Sequence, residues 1–252
     1  MTRPVTVCAS GMLMLALAAS AAFGQAAQTP KEPPPRREGG GELSFVNTTG
    51  NTDSAAFGAG ADFTLRPGKW VYEERLQYIR TEDSGIVDAE SLAERFRAGR
   101  VLNPHLNVFA EYGYLRDVFS GIDHRNTISG GLAFVVIDSK LQTFTIDGSL
   151  GYAKELRPID PTISTGIVTG GTKYRLRLTE TAEFADDFAL MESFYDSSDW
   201  RINHFIGITA KISTIFALKF GNTLRFVNAP PTTRETRDSI TSATIVARFK
   251  SQ

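Results

Sequence analysis

From residue 42 onwards the chain is dominated by long segments in which apolar and polar side chains alternate. In one of them, Phe144, Ile146 and Leu150 fall on one face, and Thr145 and Ser149 fall on the other. Successive side chains of a β-strand point to opposite faces, so a period of two predicts strands with one apolar and one polar face. The sequence therefore predicts an all-β fold.

About twelve segments share this alternation, and most are about 11–14 residues long. They span roughly residues 42–48, 54–66, 70–81, 89–102, 106–116, 125–137, 141–154, 166–178, 181–195, 200–212, 214–227 and 237–249. Strands of globular proteins usually run for about 5–6 residues, whereas a tilted strand that crosses a bilayer needs about 9–11. The strand length therefore favours a membrane barrel.

The connections between these segments alternate in length. Tight turns are predicted at 67–69, 103–105, 139–140, 179–180 and 213, and longer segments at 48–53, 82–88, 117–124, 155–165, 196–199 and 228–236. Short periplasmic turns, longer external loops and an even strand count are typical of bacterial outer-membrane barrels. The chain is therefore predicted to form an antiparallel up-and-down transmembrane β-barrel of about 12 strands, with both termini in the periplasm.

Aromatic residues lie near the two ends of the predicted strands. One set precedes or follows the longer loops and comprises Tyr78, Tyr112, Tyr114, Tyr152, Phe194, Tyr195, Trp200 and Phe226. The other lies near the opposite ends and comprises Trp70, Phe144, Phe184 and Phe216. Two such bands are expected where a barrel meets the two membrane–water interfaces.

The alternation is poor in residues 89–102. Glu94 and Arg100 share a face with Phe96, and Glu74 falls on the apolar face of the preceding segment. Two explanations are open: this part of the barrel faces a partner, or local bulges shift the phase of the alternation.

The first 24 residues have the composition of a secretory signal peptide. Arg3 gives a weak positive start, an apolar core is densest over Met12–Ala22, and Gly24 ends a small-residue cleavage site. An N-terminal membrane anchor is the alternative. Cys8 is the one cysteine of the chain, so cleavage would leave a mature protein without disulfides or thiol chemistry.

Residues 25–41 contain runs of proline and glycine and are predicted to form a periplasmic linker, so the barrel domain is assigned to 42–252. Beyond residue 30 no apolar run approaches the roughly 20 residues of a spanning helix. The net charge of −1 offers no footprint for nucleic-acid binding. Export to a Gram-negative outer membrane predicts contact with outer-membrane lipid, lipopolysaccharide and the barrel assembly machinery.

The segments RDVFSGIDHR (116–125) and GSLGY (148–152), together with VNTTGNTDS (46–54), resemble a known β-barrel family, the salt-induced outer-membrane proteins. The resemblance covers about residues 42–250. It implies an outer-membrane barrel linked to salt stress, built on a domain of unknown function, with no catalytic residues. The chain departs from the usual terminal aromatic of such barrels, because Lys250, Ser251 and Gln252 follow Phe249.

Several charges fall on the polar faces of the predicted strands. They are Lys173, Arg175, Arg177, Glu183, Asp187, Lys219 and Arg225. In a membrane barrel the polar face lines the lumen, because a Lys or Arg that faces lipid at mid-bilayer costs about 2–4 kcal/mol. These side chains are therefore predicted to face the lumen and to pair across strands.

Four charges flank the third long loop: Arg116, Asp117, Asp123 and Arg125. They could form an extracellular recognition site, or they could pair across the strands and close the hairpin; the pairing is the favoured reading. The long loops are acidic overall, and an acidic rim would raise the local concentration of cations at the mouth.

No constellation for catalysis or metal binding is found. His105, His124 and His204 are scattered without ligand spacing, and no G-x-S-x-G elbow is present, so neither a cofactor nor a metal is expected. Three functions stay open: a narrow channel for ions or small solutes, a structural envelope barrel plugged by its own side chains, and a membrane-embedded lipid-modifying enzyme using His204. The protein is expected not to be an enzyme.

Overall fold

The computed structural model describes residues 34–49, 54–83, 86–118 and 120–251. The predicted signal peptide, most of the predicted linker and the loop residues 50–53 lie outside this range. None of the described residues belongs to a helix with the length and hydropathy needed to cross a membrane.

Twelve strands make up the described chain. They are β1 (Arg37–Thr49), β2 (Ser54–Leu65), β3 (Trp70–Asp83), β4 (Ile86–Asn103), β5 (Leu106–Asp117), β6 (Ile122–Asp138), β7 (Gln142–Leu156), β8 (Ile163–Arg177), β9 (Ala182–Ser193), β10 (Trp200–Lys211), β11 (Phe216–Val227) and β12 (Arg237–Ser251).

The strands form one closed antiparallel barrel. Each strand pairs with the next along the chain, and β1 pairs with β12, from Arg37 opposite Ser251 to Thr49 opposite Ser239. Closure leaves none of the twelve described strands with a free edge, and a sheet that spans lipid must have no free edge because its backbone groups cannot bond to water there. The predicted all-β, up-and-down fold of about 12 strands is confirmed.

The two faces of the sheet differ in polarity. Along β1, Val46 and Thr48 are 2% and 3% exposed, whereas Leu43 and Phe45 are 69% and 49% exposed. Because the closed sheet encloses one face, the buried set defines the inner face and the exposed set the outer face. The outer face therefore carries the large apolar side chains, the arrangement of a barrel whose surroundings are lipid rather than water.

Aromatic side chains cluster at both ends of the outer face. Near the short turns the rings of Trp70 and Tyr72 stack with centroids 6.1 Å apart. Near the long loops Trp200 stacks on Phe226 with centroids 5.0 Å apart. The two bands predicted from the sequence are thus present on the face that would meet the membrane interfaces.

Strand β1 begins at Arg37, so the predicted linker of residues 25–41 extends too far. Gly39, Gly40 and Gly41 belong to the strand and pair with β2 and β12. A side chain at Gly39 would lie 2.6 Å from the ring of Phe249. Glycine therefore lets the neighbouring strands and that ring pack closely, and the glycine run does not end the sheet here.

The segment 89–102, in which the alternation is poor, forms most of strand β4. Its register with β3 is unbroken from Trp70 opposite Arg100 to Thr81 opposite Ala89, and its register with β5 shifts only at the end, between Val101 and Asn103. Bulges therefore do not rephase residues 89–101. Glu74 and Glu94 stay on the outer face, beside a groove that Phe63 and Leu76 also line.

Candidate functional site

The inner face of the barrel carries every charge predicted for the lumen. The buried residues Val46, Ile167 and Ala217 mark the inner face, and the strand registers show which other residues lie on it. The predicted charges on this face are Lys173, Arg175, Arg177, Glu183, Asp187, Lys219 and Arg225. Whether they line a water-filled path stays a prediction.

Some of these charged side chains pair with each other, and others pair with residues that were not among those predicted. Arg175 donates two hydrogen bonds to Asp187, at 2.5 and 2.8 Å. Lys219 donates to Glu42 on β1. The register places Lys173 opposite Asp187. The inner face therefore carries paired positive and negative side chains, and charges of both signs lie along it.

A further group of inner-face charges on β4, β5 and β7 was not predicted. Arg97 donates to Glu111 at 2.6 Å, lies 3.7 Å from Asp147, and stacks its guanidinium 3.9 Å from the ring centre of Phe109. Arg95 lies 3.6 Å from Glu111. The signal in the sequence is the spacing of two between Arg95 and Arg97, which the poor alternation of residues 89–102 obscures.

One ion pair crosses the barrel at the end that carries the longer loops. Arg225 Nη1 donates to Asp117 Oδ2 at 2.5 Å, although β11 and β5 are six positions apart in a ring of twelve strands. Asp117 is 1% exposed. Ser120, in the loop between β5 and β6, donates to Asp238 on β12. The long-loop end is therefore spanned by contacts between opposite walls.

The ion pairs expected to close the β5–β6 hairpin are not formed among Arg116, Asp117, Asp123 and Arg125. Their partners lie elsewhere. Arg116 pairs with Glu90, Asp117 with Arg225, Asp123 with His124, and Arg125 with Glu155. Adjacent residues of a strand face opposite sides, so Arg116 reaches the outer face while Asp117 reaches the lumen.

A cluster of five charges is buried at the long-loop end of the inner face, and we call it the Glu155 cluster. Glu155, 2% exposed, accepts from Arg125 at 3.3 Å, Arg157 at 2.5 Å and Arg201 at 2.6 Å. Arg201 also pairs with Asp199. Because Arg201 lies on β10 and Glu155 on β7, the pair spans the intervening strands β8 and β9. Those strands present the small residues Thr165 and Ser193 there.

The loops at this end also contact each other. Asp160, in the β7–β8 loop, accepts hydrogen bonds from the backbone and the hydroxyl of Thr232 in the β11–β12 loop, at 2.7 and 2.5 Å. These two bonds hold the pKa of the Asp160 carboxyl below its usual range. The pKa of Asp196 is lowered in the same way by Ser198.

The histidine considered for catalysis lies on the outer face. In the described part of the chain, the hydrogen bonds of His204 go to Asp186, at 3.2 and 3.3 Å, and its ring packs edge-on against Phe188. No serine or threonine hydroxyl is among these partners. Over the same residues, no group of three or more His, Cys, Asp or Glu side chains is placed to hold a metal ion.

Comparison with solved structures finds outer-membrane barrels of similar fold. The NanC porin aligns with a TM-score of 0.59 at 9% identity, over 83% of this chain and 100% of that one. The translocator domain of the autotransporter NalP from Neisseria meningitidis gives 0.47 at 12% identity, over 87% and 90%. The outer membrane channel DcaP of Acinetobacter baumannii gives 0.41 at 9% identity, over 88% and 100%. At these identities the likeness is one of fold.

Comparison with curated protein sequences found no match. Residues 41–249 match a family model described as a protein of unknown function, DUF481. The matched segment runs from Gly41 of β1 to Phe249 of β12 and so includes residues of all twelve strands. The chain therefore belongs to the DUF481 family.

Proposed function

We propose that this protein is a narrow outer-membrane channel for ions or small solutes and is not an enzyme. The observation that carries the proposal is the reversal of polarity across the sheet, with apolar side chains outside and charged side chains inside. A lumen lined by ion pairs offers water and ions polar partners along the whole path. The NanC porin, which shares the fold, supports the same class of function.

A second candidate, a structural barrel plugged by its own side chains, is favoured by the contacts across the lumen. The Asp117–Arg225 pair joins opposite walls. Lys173 on β8 also lies within electrostatic range of Glu73 on β3, five positions away around the ring. The Asp117–Arg225 contact narrows the path that a solute would take.

Single-channel recording of the refolded protein in planar bilayers separates the two candidates. The wild type is expected to conduct in small steps. Asp117→Asn removes the carboxylate charge that holds Arg225 across the mouth, so its steps should be larger. Glu90→Gln is the matched control, because Glu90 pairs with Arg116 on the outer face at the same end, and its steps should equal those of the wild type.

If neither the wild type nor Asp117→Asn conducts, the channel proposal is wrong and the plugged barrel stands. If both conduct equally, the channel proposal stands, and the proposal that the Asp117–Arg225 pair restricts conductance is wrong.

The proposed link to salt or envelope stress rests on the family resemblance of residues 116–125 and 148–152. We expect a strain that lacks the protein to grow more slowly than its parent at raised sodium chloride and equally at low salt. Equal growth of both strains at every salt concentration would remove this part of the proposal. Contact with lipopolysaccharide and the assembly machinery also stays part of the proposal.

A further inference from the structure

The loop between β11 and β12, residues 228–236, is bonded to two other long loops. Its Thr232 donates two hydrogen bonds to Asp160 of the β7–β8 loop, at 2.7 and 2.5 Å. Asn228 at its start donates to the backbone oxygen of Ser198 in the β9–β10 loop at 2.9 Å. The β7–β8 and β11–β12 loops are four strands apart in the ring of twelve. The loop is therefore held at a point a third of the way round the ring from its own strands.

The same loop also lies against the opposite wall of the barrel. A Cβ at Gly121 in the β5–β6 loop would lie 3.1 Å from the side chain of Arg234 and 3.4 Å from Pro231. The β5–β6 and β11–β12 loops are six strands apart, on opposite sides of the ring. Gly121 has a φ of 69°, and as a glycine it leaves the space that Arg234 and Pro231 occupy. The β11–β12 loop therefore spans the mouth of the barrel.

The side of the loop that faces the barrel is buried, and the side that faces the medium is not. Pro231, which lies against Gly121, is buried, whereas Thr232 and Thr233 at the tip are exposed. Ser120, the residue before Gly121, is 8% exposed although it lies in a long loop. The β11–β12 loop thus covers the part of the β5–β6 loop that lies in the mouth.

The tip of the loop holds a strained residue. The backbone nitrogen of Arg234 donates to the backbone oxygen of Pro231 at 3.0 Å, which closes a four-residue turn. Thr233, the third residue of this turn, has a φ of 72° and is the only non-glycine residue with positive φ in the part of the chain that the structure describes. Turns with positive φ at this position usually carry glycine or asparagine there, because a β-branched side chain is crowded by the backbone. The tip therefore has a conformation that its own sequence disfavours.

Backbone strain of this kind persists only where the surrounding contacts hold it. The two hydrogen bonds between Asp160 and Thr232 act on the residue directly before Thr233. These bonds favour the closed position of the loop, whereas the strain at Thr233 favours its release. Two opposed contributions make an element with two states, whose populations shift when one contribution is lost.

We propose that the β11–β12 loop is a lid over the lumen, which the Asp160–Thr232 contact holds closed and which opens when that contact breaks. Opening moves Pro231 and Arg234 away from Gly121 and exposes the β5–β6 loop to the medium. For the proposed channel the lid controls entry from the long-loop end, and this role rests on that proposal. The opening itself does not depend on whether ions cross the lumen.

A cysteine reporter beneath the lid measures its opening. Ser120→Cys places a thiol of similar size at the covered position, and Cys8→Ser removes the one cysteine of the chain. The refolded protein in detergent micelles is treated with a quaternary-ammonium methanethiosulfonate, and the rate of thiol modification is followed by mass spectrometry. A covered thiol reacts during local opening, so the rate follows the population of the open lid. With no other substitution, the reporter should react slowly.

Two substitutions should shift this rate in opposite directions. Asp160→Ala removes both hydrogen bonds to Thr232, and the rate should rise about tenfold or more, as expected for the loss of two bonds. Thr233→Asn places at the tip a residue that tolerates positive φ, and the rate should fall several-fold. Asp123→Ala is the matched control. It removes the same charge from the same end of the barrel, but Asp123 bonds to its neighbour His124, and the rate should not change.

The lid proposal is overturned if the reporter reacts equally fast with and without Asp160→Ala, or if Thr233→Asn raises the rate. Gel mobility without boiling checks that each variant is folded, and Thr232→Val, which removes one of the two bonds, should raise the rate by a smaller factor than Asp160→Ala. Absence of conductance steps together with the expected rates would remove the proposed channel and leave the lid. Conductance without these rate changes would remove the lid and leave the channel, so the two proposals fail separately.

Discussion

At the scale of single residues, the face of the strand on which a side chain lies decides whether its surroundings are polar or apolar. Arg175 lies on the inner face of β8 and is about a third exposed, with a bidentate partner in Asp187. Leu150 lies on the outer face near the middle of β7 and is 63% exposed. The first residue meets polar neighbours, whereas the second would meet hydrocarbon.

Insertion into lipid should therefore respond differently to two matched substitutions. Arg175→Leu loses a partly exposed ion pair worth about 0.2–1 kcal/mol, and Asp187 keeps Lys173 opposite it, so folding into vesicles should be retained. Leu150→Arg places a cation at mid-bilayer at a cost of about 2–4 kcal/mol, so the folded yield should fall sharply. The folded fraction on a gel run without boiling measures both, and equal yields would mean that the two faces are misassigned.

At the scale of elements, glycines set how closely neighbouring strands approach. Gly130 and Gly131 are adjacent on β6 but face opposite sides. A Cβ at Gly131 would lie 2.1 Å from the backbone oxygen of Gly148 and 2.6 Å from the side chain of Ser149 on β7, whereas at Gly130 the nearest atom lies at 3.6 Å. The backbone of β7 thus tolerates a side chain at one position and not at the other.

The two glycines give a direct test of this packing. Gly131→Ala should destabilise the barrel by about 1–3 kcal/mol, the usual range for overpacking, because the obstacle is backbone that cannot rotate away. Gly130→Ala is the matched control and should leave stability nearly unchanged. Urea unfolding of both variants in lipid vesicles gives the two midpoints. A midpoint for Gly131→Ala equal to that of Gly130→Ala would show that β6 and β7 can separate without loss.

At the scale of the whole molecule, the barrel has one end with short turns and one with longer loops. The short-turn end also carries both ends of the sheet, at Arg37 and Ser251. The long-loop end carries the Glu155 cluster and the pair that crosses the mouth. Outer-membrane barrels place their longer loops outside, so this end is expected to face the medium.

Accessible tags test that orientation in intact cells. Epitopes inserted beside Asp123 or Asp160 should bind antibody without permeabilisation, because both residues lie at the long-loop end. Epitopes beside Lys69 or Lys140, in the short turns, should bind only after the outer membrane is opened. The reverse pattern would show that the barrel is inserted the other way, and labelling of neither set would contradict an outer-membrane location.

The sequence by itself determined the strand number, the antiparallel order and the two faces, because a strand's period of two is a local property that the chain displays directly. Thus Phe144 and Thr145 are assigned correctly from their neighbours alone. The start of β1 was predicted five residues too late, because closure with β12 extends β1 back to Arg37 and takes the glycine run into the strand.

Only the tertiary structure decided which charges meet. Asp117 and Arg225 are 108 residues apart, and nothing local indicates that β5 and β11 stand on opposite walls at the same height. The Glu155 cluster likewise joins β6, β7 and β10 through side chains that reach over two strands. The expected hairpin pairs failed for the same reason: an ion pair depends on the position of the side-chain tips in space, which the curvature and closure of the barrel set and the sequence order does not.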